Sequence, residues 1–364
     1  MKTLKHLAKS SIYFFYLLVM YHSFANPSPQ FHNTPPLQRP VEVEVNVKIK
    51  KIFNINAIDE SFQVDGYLAV AWKDERYKFT PQDSTTPSFI YENKQAAAII
   101  GEKIWIPTFE FINNRGGRSI ANYNIKIHPS GYIEYEERFF ATFSSNMNFK
   151  RFPFDKQSYK IEIEPFSYDN RYLKIKKMRV TKLDDDEKEK LLGDSWEFKN
   201  VETKIIDNSY NTIDNNSELP TEISGDKHFD RMVVSVTAKR LTGYYIWQVM
   251  FPLFIIIISS FFIFWIKEFS TQISIAFTLM LTVVAFNFYS ASILPKLPYN
   301  TFIEYVIIIG YSFIFMGILS VVINHKIHGE KEDIDTSPLF KYLKFIMPLA
   351  YFVCMGVLSI IIFS

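Results

Sequence analysis

Cysteine is nearly absent: the 364 residues contain one, Cys354, close to the end of the chain. This excludes a disulfide framework and a thiolate metal site. A dominant charge sign is also missing, since 40 Lys and Arg stand against 38 Asp and Glu, so no nucleic-acid partner is indicated. Glycine is sparse, with 12 residues, and there is no Gly-rich phosphate loop. HExxH, GxSxG and CxxC do not occur, and of the scattered histidines only His325 and His328 lie close together. No cofactor, metal site or enzyme chemistry is therefore assigned.

What is present is unevenly distributed. Residues 1–25 read as a secretory signal, with Lys2, Lys5 and Lys9 before the apolar "IYFFYLLVMY" and a small-x-small exit at Ser23 and Ala25. A short membrane anchor is the other reading. Residues 26–40 form a Pro-, Gln- and Asn-rich extended leader. From "VEVEVNVKIK" at 41–50 onward, short alternating runs predict many strands, with a turn at Pro129, Ser130 and Gly131. An all-β sandwich over 41–241 follows from that pattern. The run "KLDDDEKEK" (182–190) reads as a solvated loop, with a divalent-cation site as the alternative.

Residues 242–364 hold four apolar runs at about 243–266, 272–294, 301–324 and 339–363. Each is long enough to cross a hydrocarbon core of ~30 Å as a helix. The fold class is thus mixed: an external β-sandwich followed by an all-α four-helix membrane domain, with lipid as a partner. Four spans place the polar loop "NHKIHGEKEDIDTSP" in the cytoplasm.

The second run carries hydroxyls at helical spacing. With Ser274 at zero on a wheel of about 100° per residue, Thr278, Leu281, Ala285, Phe288 and Ser292 fall within ~40° of it. Hydrogen bonding between helices is one reading of such hydroxyls. A water-filled pore is the other: hydroxyls stabilise a partly dehydrated ion, and rings of Leu281 and Phe288 close the path by dewetting. One helix per subunit cannot enclose a pore, so this reading needs a symmetric ring of copies.

Phe152-Pro153-Phe154-Asp155 resembles the loop at the membrane end of the extracellular domain in pentameric ligand-gated ion channels, without the two flanking cysteines of animal members. "IWIPTFEF" (104–111) resembles that family's Trp-x-Pro segment. "FTLMLTVVAFNFYSASILPKLPY" is similar to the pore helix and following loop of an amine-activated bacterial member. The likeness runs in order along nearly the whole mature chain.

The resemblance implies an immunoglobulin-like extracellular domain, a homopentamer in a bacterial inner membrane, permeant inorganic ions, and a small amine held between neighbouring sandwiches. The implied ligand residues are Glu110, Glu164 and Phe166, with Tyr210 and Phe229 flanking a closing loop and Tyr67 from the opposite subunit. Glu136 replaces an amide there, and the Tyr210–Phe229 segment is longer than its counterpart. Taken singly, each aromatic fits an ordinary core and each glutamate a solvated strand face. The implied coupling residues are Asp155 and Arg240, joined by Asp59 or Glu60, and the Pro295, Lys296 and Pro298 loop. Cation-passing members carry a glutamate ring at the position of Thr271. Here the nearest acid, Glu268, sits about 120° off the stripe on an extended wheel. Cation conduction is expected. Anion passage, proton gating and a non-conducting membrane sensor are the alternatives.

Overall fold

The computed structural model describes residues 32–81, 88–193, 195–210, 227–292, 297–328 and 338–364. The expected signal, the leader up to residue 31, the closing loop 211–226, and Pro295 and Lys296 lie outside the described residues.

Alternation in sequence becomes alternation in burial. In β1 (Val41–Asn56), Val43, Val45, Val47 and Ile49 are buried, while Glu42, Glu44, Asn46 and Lys48 between them are exposed or half-buried. The other strands are β2 (Ser61–Lys73), β3 (Phe89–Glu92), β4 (Phe109–Phe111), β5 (Ser119–Ile127), β6 (Tyr132–Ser144), β7 (Lys156–Pro165), β8 (Leu173–Val180), β9 (Trp196–Tyr210) and β10 (Lys227–Arg240). They form a six-stranded sheet in the order β3-β5-β6-β2-β1-β8 and a four-stranded sheet in the order β4-β7-β10-β9. Inward side chains of both sheets meet in one core, where Phe62, Phe143 and Tyr159 pack together. Trp105 of the Trp-x-Pro segment stands edge-on to Trp72 and to Tyr168.

The β5–β6 turn requires its glycine. Gly131 has φ +82°, and a Cβ there would lie 2.7 Å from the Asp74 carbonyl oxygen. The end of the leader is tied down rather than loose: Tyr77 Oη donates to the His32 carbonyl, and Trp105 N–H donates to the same oxygen.

The acidic run is not the expected loop. It folds into a helix over Asp185–Leu191, after a one-turn helix at Lys94–Ala97. Asp184 and Glu187 form a reciprocal capping box, and Lys188 and Lys190 pair with Asp185 and Asp186. The spacing Asp-x-x-Glu was the available signal.

Four long helices follow. Numbered after those two short ones, they are α3 (Gly243–Trp265), α4 (Phe269–Ala291), α5 (Phe302–His328) and α6 (Pro338–Phe363). All four contain a stretch long and apolar enough to cross a membrane. α3 contains a wide π turn over Ile246–Met250, just before Pro252, which has no N–H to offer the turn. Gly310 of α5 lets Ile257 of α3 come close; a Cβ there would sit 2.7 Å from Ile257 Cδ1. α4 is anchored on both sides. Gln272 Nε2 donates to the carbonyls of Ile263 and Ile266, and Tyr311 Oη donates to that of Val283.

A carboxyl group lies inside the sandwich. Glu137 of β6 is 0% exposed and faces Leu68 and Tyr123 on the neighbouring strands. Tyr135 donates to its Oε2 at 2.7 Å, and Arg118 lies 3.3 Å from its Oε1. Burial raises its pKa, against the opposing pull of Arg118 and Tyr135. A carboxyl with a raised folded-state value favours folding below the ordinary glutamate range and loses that contribution as pH rises through the folded value. Glu137→Gln is therefore expected to raise the melting temperature at neutral pH, with the gain vanishing in acid. Thermal scans of both proteins across pH check it; an unchanged or lowered melting temperature at neutral pH contradicts it.

Candidate functional site

Three zones of candidate residues run from the sandwich to the membrane. The first lies on the four-stranded sheet. β4 pairs antiparallel with β7 so that Glu110 stands directly opposite Glu164. Two carboxylates face to face repel. The relief comes from the next strand: Arg231 of β10 places Nε 2.9 Å from Glu164 Oε2 and Nη1 3.2 Å from Glu162 Oε2, and its Nη2 donates to Tyr210 Oη at 2.6 Å. Glu164 is thereby 3% exposed, whereas Glu110 is exposed. Burial, then the neighbouring Glu164, hold the Tyr210 phenol above its ordinary pKa. Tyr210 and Phe229 meet edge-on with centroids 5.7 Å apart. Phe166, just past β7, is 64% exposed, so it is not a core residue.

Arg231 is not among the ligand residues that the resemblance implies. It follows Phe229 by two positions, and a strand's period of two turns both side chains the same way. That signal was readable; the adjacency of β10 to β7 was not.

Tyr67 and Glu136 lie on the other sheet. Arg138 lies over the Tyr67 ring at 6.0 Å and pairs with Asp65, and Asn124 reaches Glu136 at 3.5 Å. The two groups of candidates therefore occupy different sheets of one protomer.

The second zone joins the sandwich to the helices. Asp155 and Arg240 form a bidentate pair at 2.8 and 3.1 Å. It is buried, with Arg240 7% and Asp155 2% exposed. Arg240 N–H also donates to the Asp155 carbonyl, and Gln157 donates to Asp155 Oδ2. Trp196, Phe152 and Tyr245 surround the guanidinium at 4.2, 4.8 and 5.7 Å. Burial opposes the Arg240 charge, and the Asp155 carboxylate more than offsets it.

Asp59 and Glu60 do not join this cluster. Asp59 is held by Asn56 inside its own turn, and Glu60, at φ +48°, accepts from the Met147 N–H. Asp59 is engaged inside its own turn and Glu60 by the segment around Met147, and neither pairs with Arg240.

Contacts that no sequence motif announced complete the joint. Phe149 N–H donates to Tyr299 Oη, and Phe302 N–H donates to the Lys150 carbonyl. Arg151 Nε donates to the Ile362 carbonyl of α6 at 2.9 Å. Phe154, Phe302 and Phe363 form a ring cluster with centroids 5.4–5.9 Å apart. One loop thus grips the ends of α5 and α6. Pro298 lies in the described part of the α4–α5 connection, one residue before Tyr299.

The third zone is α4. Its buried positions are Gln272, Ala276, Val283 and Ser290. Ser274, Thr278, Leu281, Ala285, Phe288 and Ser292 are exposed, Leu281 at 69% and Phe288 at 74%. Thr278 Oγ1 donates to the Ser274 carbonyl and Thr282 Oγ1 to that of Thr278, both at 2.8 Å. Thr278 and Thr282 thus spend their hydroxyl hydrogens on their own helix and turn acceptor lone pairs outward. α6 contrasts with it: the exposed side chains from Phe345 to Ile361 include no hydroxyl.

Removing one partner of a buried pair strands the other charge, at a cost of about 3–5 kcal/mol. Asp155→Ala is expected to destabilise the fold by that order, while Asp155→Ala combined with Arg240→Met recovers most of the melting temperature. Thermal unfolding of the single and double variants checks both halves; a double variant no more stable than Asp155→Ala contradicts the stranded-charge account.

Residues 15–232 match the sequence model of the neurotransmitter-gated ion-channel ligand-binding domain. The proton-gated ion channel of Gloeobacter violaceus is 24% identical over 333 residues, covering 91% of this chain and 86% of that one. The human gamma-aminobutyric acid receptor subunit rho-2 is 23% identical over 286 residues, 77% of this chain and 57% of that one.

Proposed function

The chain belongs to the neurotransmitter-gated ion-channel family, and from that premise we propose that it is a homopentameric, cation-conducting channel of a bacterial inner membrane, opened by a small amine bound between neighbouring extracellular domains. The observation that carries the amine reading is the carboxylate set on the four-stranded sheet. Glu110, Glu162 and Glu164 outnumber the single Arg231, beside Tyr210, Phe229 and exposed Phe166. Arg231 shows the chemistry this surface favours: a cation held by carboxylates and a phenol oxygen. Exposed Glu110 is left to meet a ligand ammonium, with aromatic faces for cation–π attraction.

Cation passage is supported by the α4 stripe. Thr278 and Ser292 give their hydroxyl hydrogens to the helix backbone, so they offer oxygen lone pairs, which suit a cation better than an anion. Opening then requires that the ligand bind the open state better than the closed one.

An acid-opened channel is the second reading, favoured by buried Glu137 and by the similarity to the proton-gated relative. The two readings separate in one panel of primary amines, their alcohol counterparts and pH steps, recorded from protein in bilayers. Amines are expected to open the channel and the alcohols not. Glu110→Gln should raise the half-activating amine concentration about tenfold, the weight of one charge-assisted bond. Current on acidification alone, with amines silent, overturns the amine reading.

Closure by dewetting gives a further expectation. Leu281→Ser replaces an apolar ring with a wettable one and should produce current without agonist, with Phe288→Ala weaker in the same direction. Silent, agonist-dependent behaviour in both variants places the gate elsewhere.

A further inference from the structure

α4 has no acid at Thr271 or elsewhere on its exposed stripe, yet the structure brings one there. Helical geometry begins at Phe269; Glu268 precedes it in an extended conformation, φ −86° and ψ 122°. An α-helical wheel therefore gives no direction for Glu268 or for Lys267, and the offset read from sequence does not hold. The side chain of Glu268 folds back along the first turn. Ser270 Oγ donates to its Oε1 and Thr271 Oγ1 to its Oε2, each at 2.7 Å.

Those two hydroxyls straddle the stripe. With Ser274 at zero, Ser270 lies near −40° and Thr271 near +60°, at about 100° per residue. A carboxylate held by both sits over the stripe itself, at the end of α4 beyond Ser274. We propose that Glu268 is the charge-selecting residue of the pore, its carboxylate delivered by Ser270 and Thr271 to the ring position that Thr271 leaves uncharged.

This rests on the reading of the chain as a cation-conducting ring. Five copies would set five carboxylates around the inner mouth, where charges of one sign concentrate counter-ions and repel co-ions. The two hydroxyl bonds hold the carboxyl below the ordinary glutamate range, so it is ionised at neutral pH. Glu268 is exposed, and both hydroxyls that donate to it belong to the first turn of α4.

The test measures reversal potentials in unequal salt with full-length protein in bilayers, in the Leu281→Ser background so that no agonist is needed. The parent is expected to be cation-selective. Glu268→Gln should lower the cation-to-anion permeability ratio by at least about tenfold, several like charges being lost from one narrow ring. Ser270→Ala with Thr271→Ala keeps the charge and frees it, and should lose part of the selectivity. Moving the acid, as Glu268→Gln with Thr271→Glu, should restore it. Where Glu268→Gln does not assemble, Glu268→Cys is labelled with anionic or cationic thiol reagents after a Cys354→Ser change, and only the anionic reagent should preserve selectivity. A cation-selective parent unchanged by Glu268→Gln, or indifferent to reagent charge, overturns this assignment and leaves the cation reading intact. An anion-selective parent overturns the cation reading itself.

Discussion

The joint between sandwich and membrane helices depends on one buried ion pair, Asp155 with Arg240. Burying two charges costs several kcal/mol each unless geometry and hydrogen bonding repay it. Here the repayment is visible. The pair is bidentate, Gln157 takes a further lone pair of the carboxylate, and three aromatic rings enclose the guanidinium. Asp155 leads into β7 and Arg240 ends β10, so the pair fixes the membrane-side ends of two adjacent strands of one sheet. The start of α3 and the loop over 149–154 inherit their positions from it.

Such a pair is a poor candidate for a contact that breaks at every opening. Separation would leave two desolvated charges unpaired. The contacts around it are of another kind. Tyr299 Oη on the Phe149 N–H, Phe302 N–H on the Lys150 carbonyl and Arg151 on the Ile362 carbonyl are single bonds, each worth about 1 kcal/mol net and near 2 where a charge takes part. They can exchange at modest cost. The geometry thus divides the joint into a fixed post and a set of weaker links to α5 and α6. A coupling free energy is carried by elements with two discrete arrangements, and among the contacts here the single bonds fit that requirement better than the buried pair.

Much of this was legible in the sequence, for identifiable reasons. Alternation such as Val43, Val45, Val47 marked β1 because one face is buried and the other is not. Apolar length marked the membrane helices, and a 3.6-residue period marked the stripe from Ser274 to Ser292. The residues that escaped were set by tertiary neighbours. Arg231 matters because β10 lies beside β7, and no local pattern encodes that adjacency. Tyr299, Arg151 and Phe363 meet across more than sixty residues of sequence in the shortest case, Phe363 with Phe302. The resemblance implies Asp59 or Glu60 as a partner for Arg240, but Asn56 Nδ2 donates to the Asp59 carboxylate and the Met147 N–H to that of Glu60. The charge of the run 182–190 suggests a loop, but the Asp184–Glu187 capping box and lysine pairs stabilise a helix.

The exposed faces of α4 and α6 show why composition has to be read by direction. Both helices leave large apolar side chains uncovered in a single protomer. On α6 these follow one another without a hydroxyl from Phe345 to Ile361, as a lipid-facing surface would. On α4, Leu281 and Phe288 alternate along one line with Ser274, Thr278 and Ser292, and no single solvent suits that line throughout. Lipid would gain from the rings and do nothing for the outward lone pairs; bulk water would satisfy the lone pairs and be repelled by the rings. The conflict resolves when copies face each other across an axis. In the proposed ring, water and ions would occupy the hydroxyl levels, and the apolar levels would either pinch dry or open wet. A stripe that is stable in neither solvent alone is what a path with two hydration states requires.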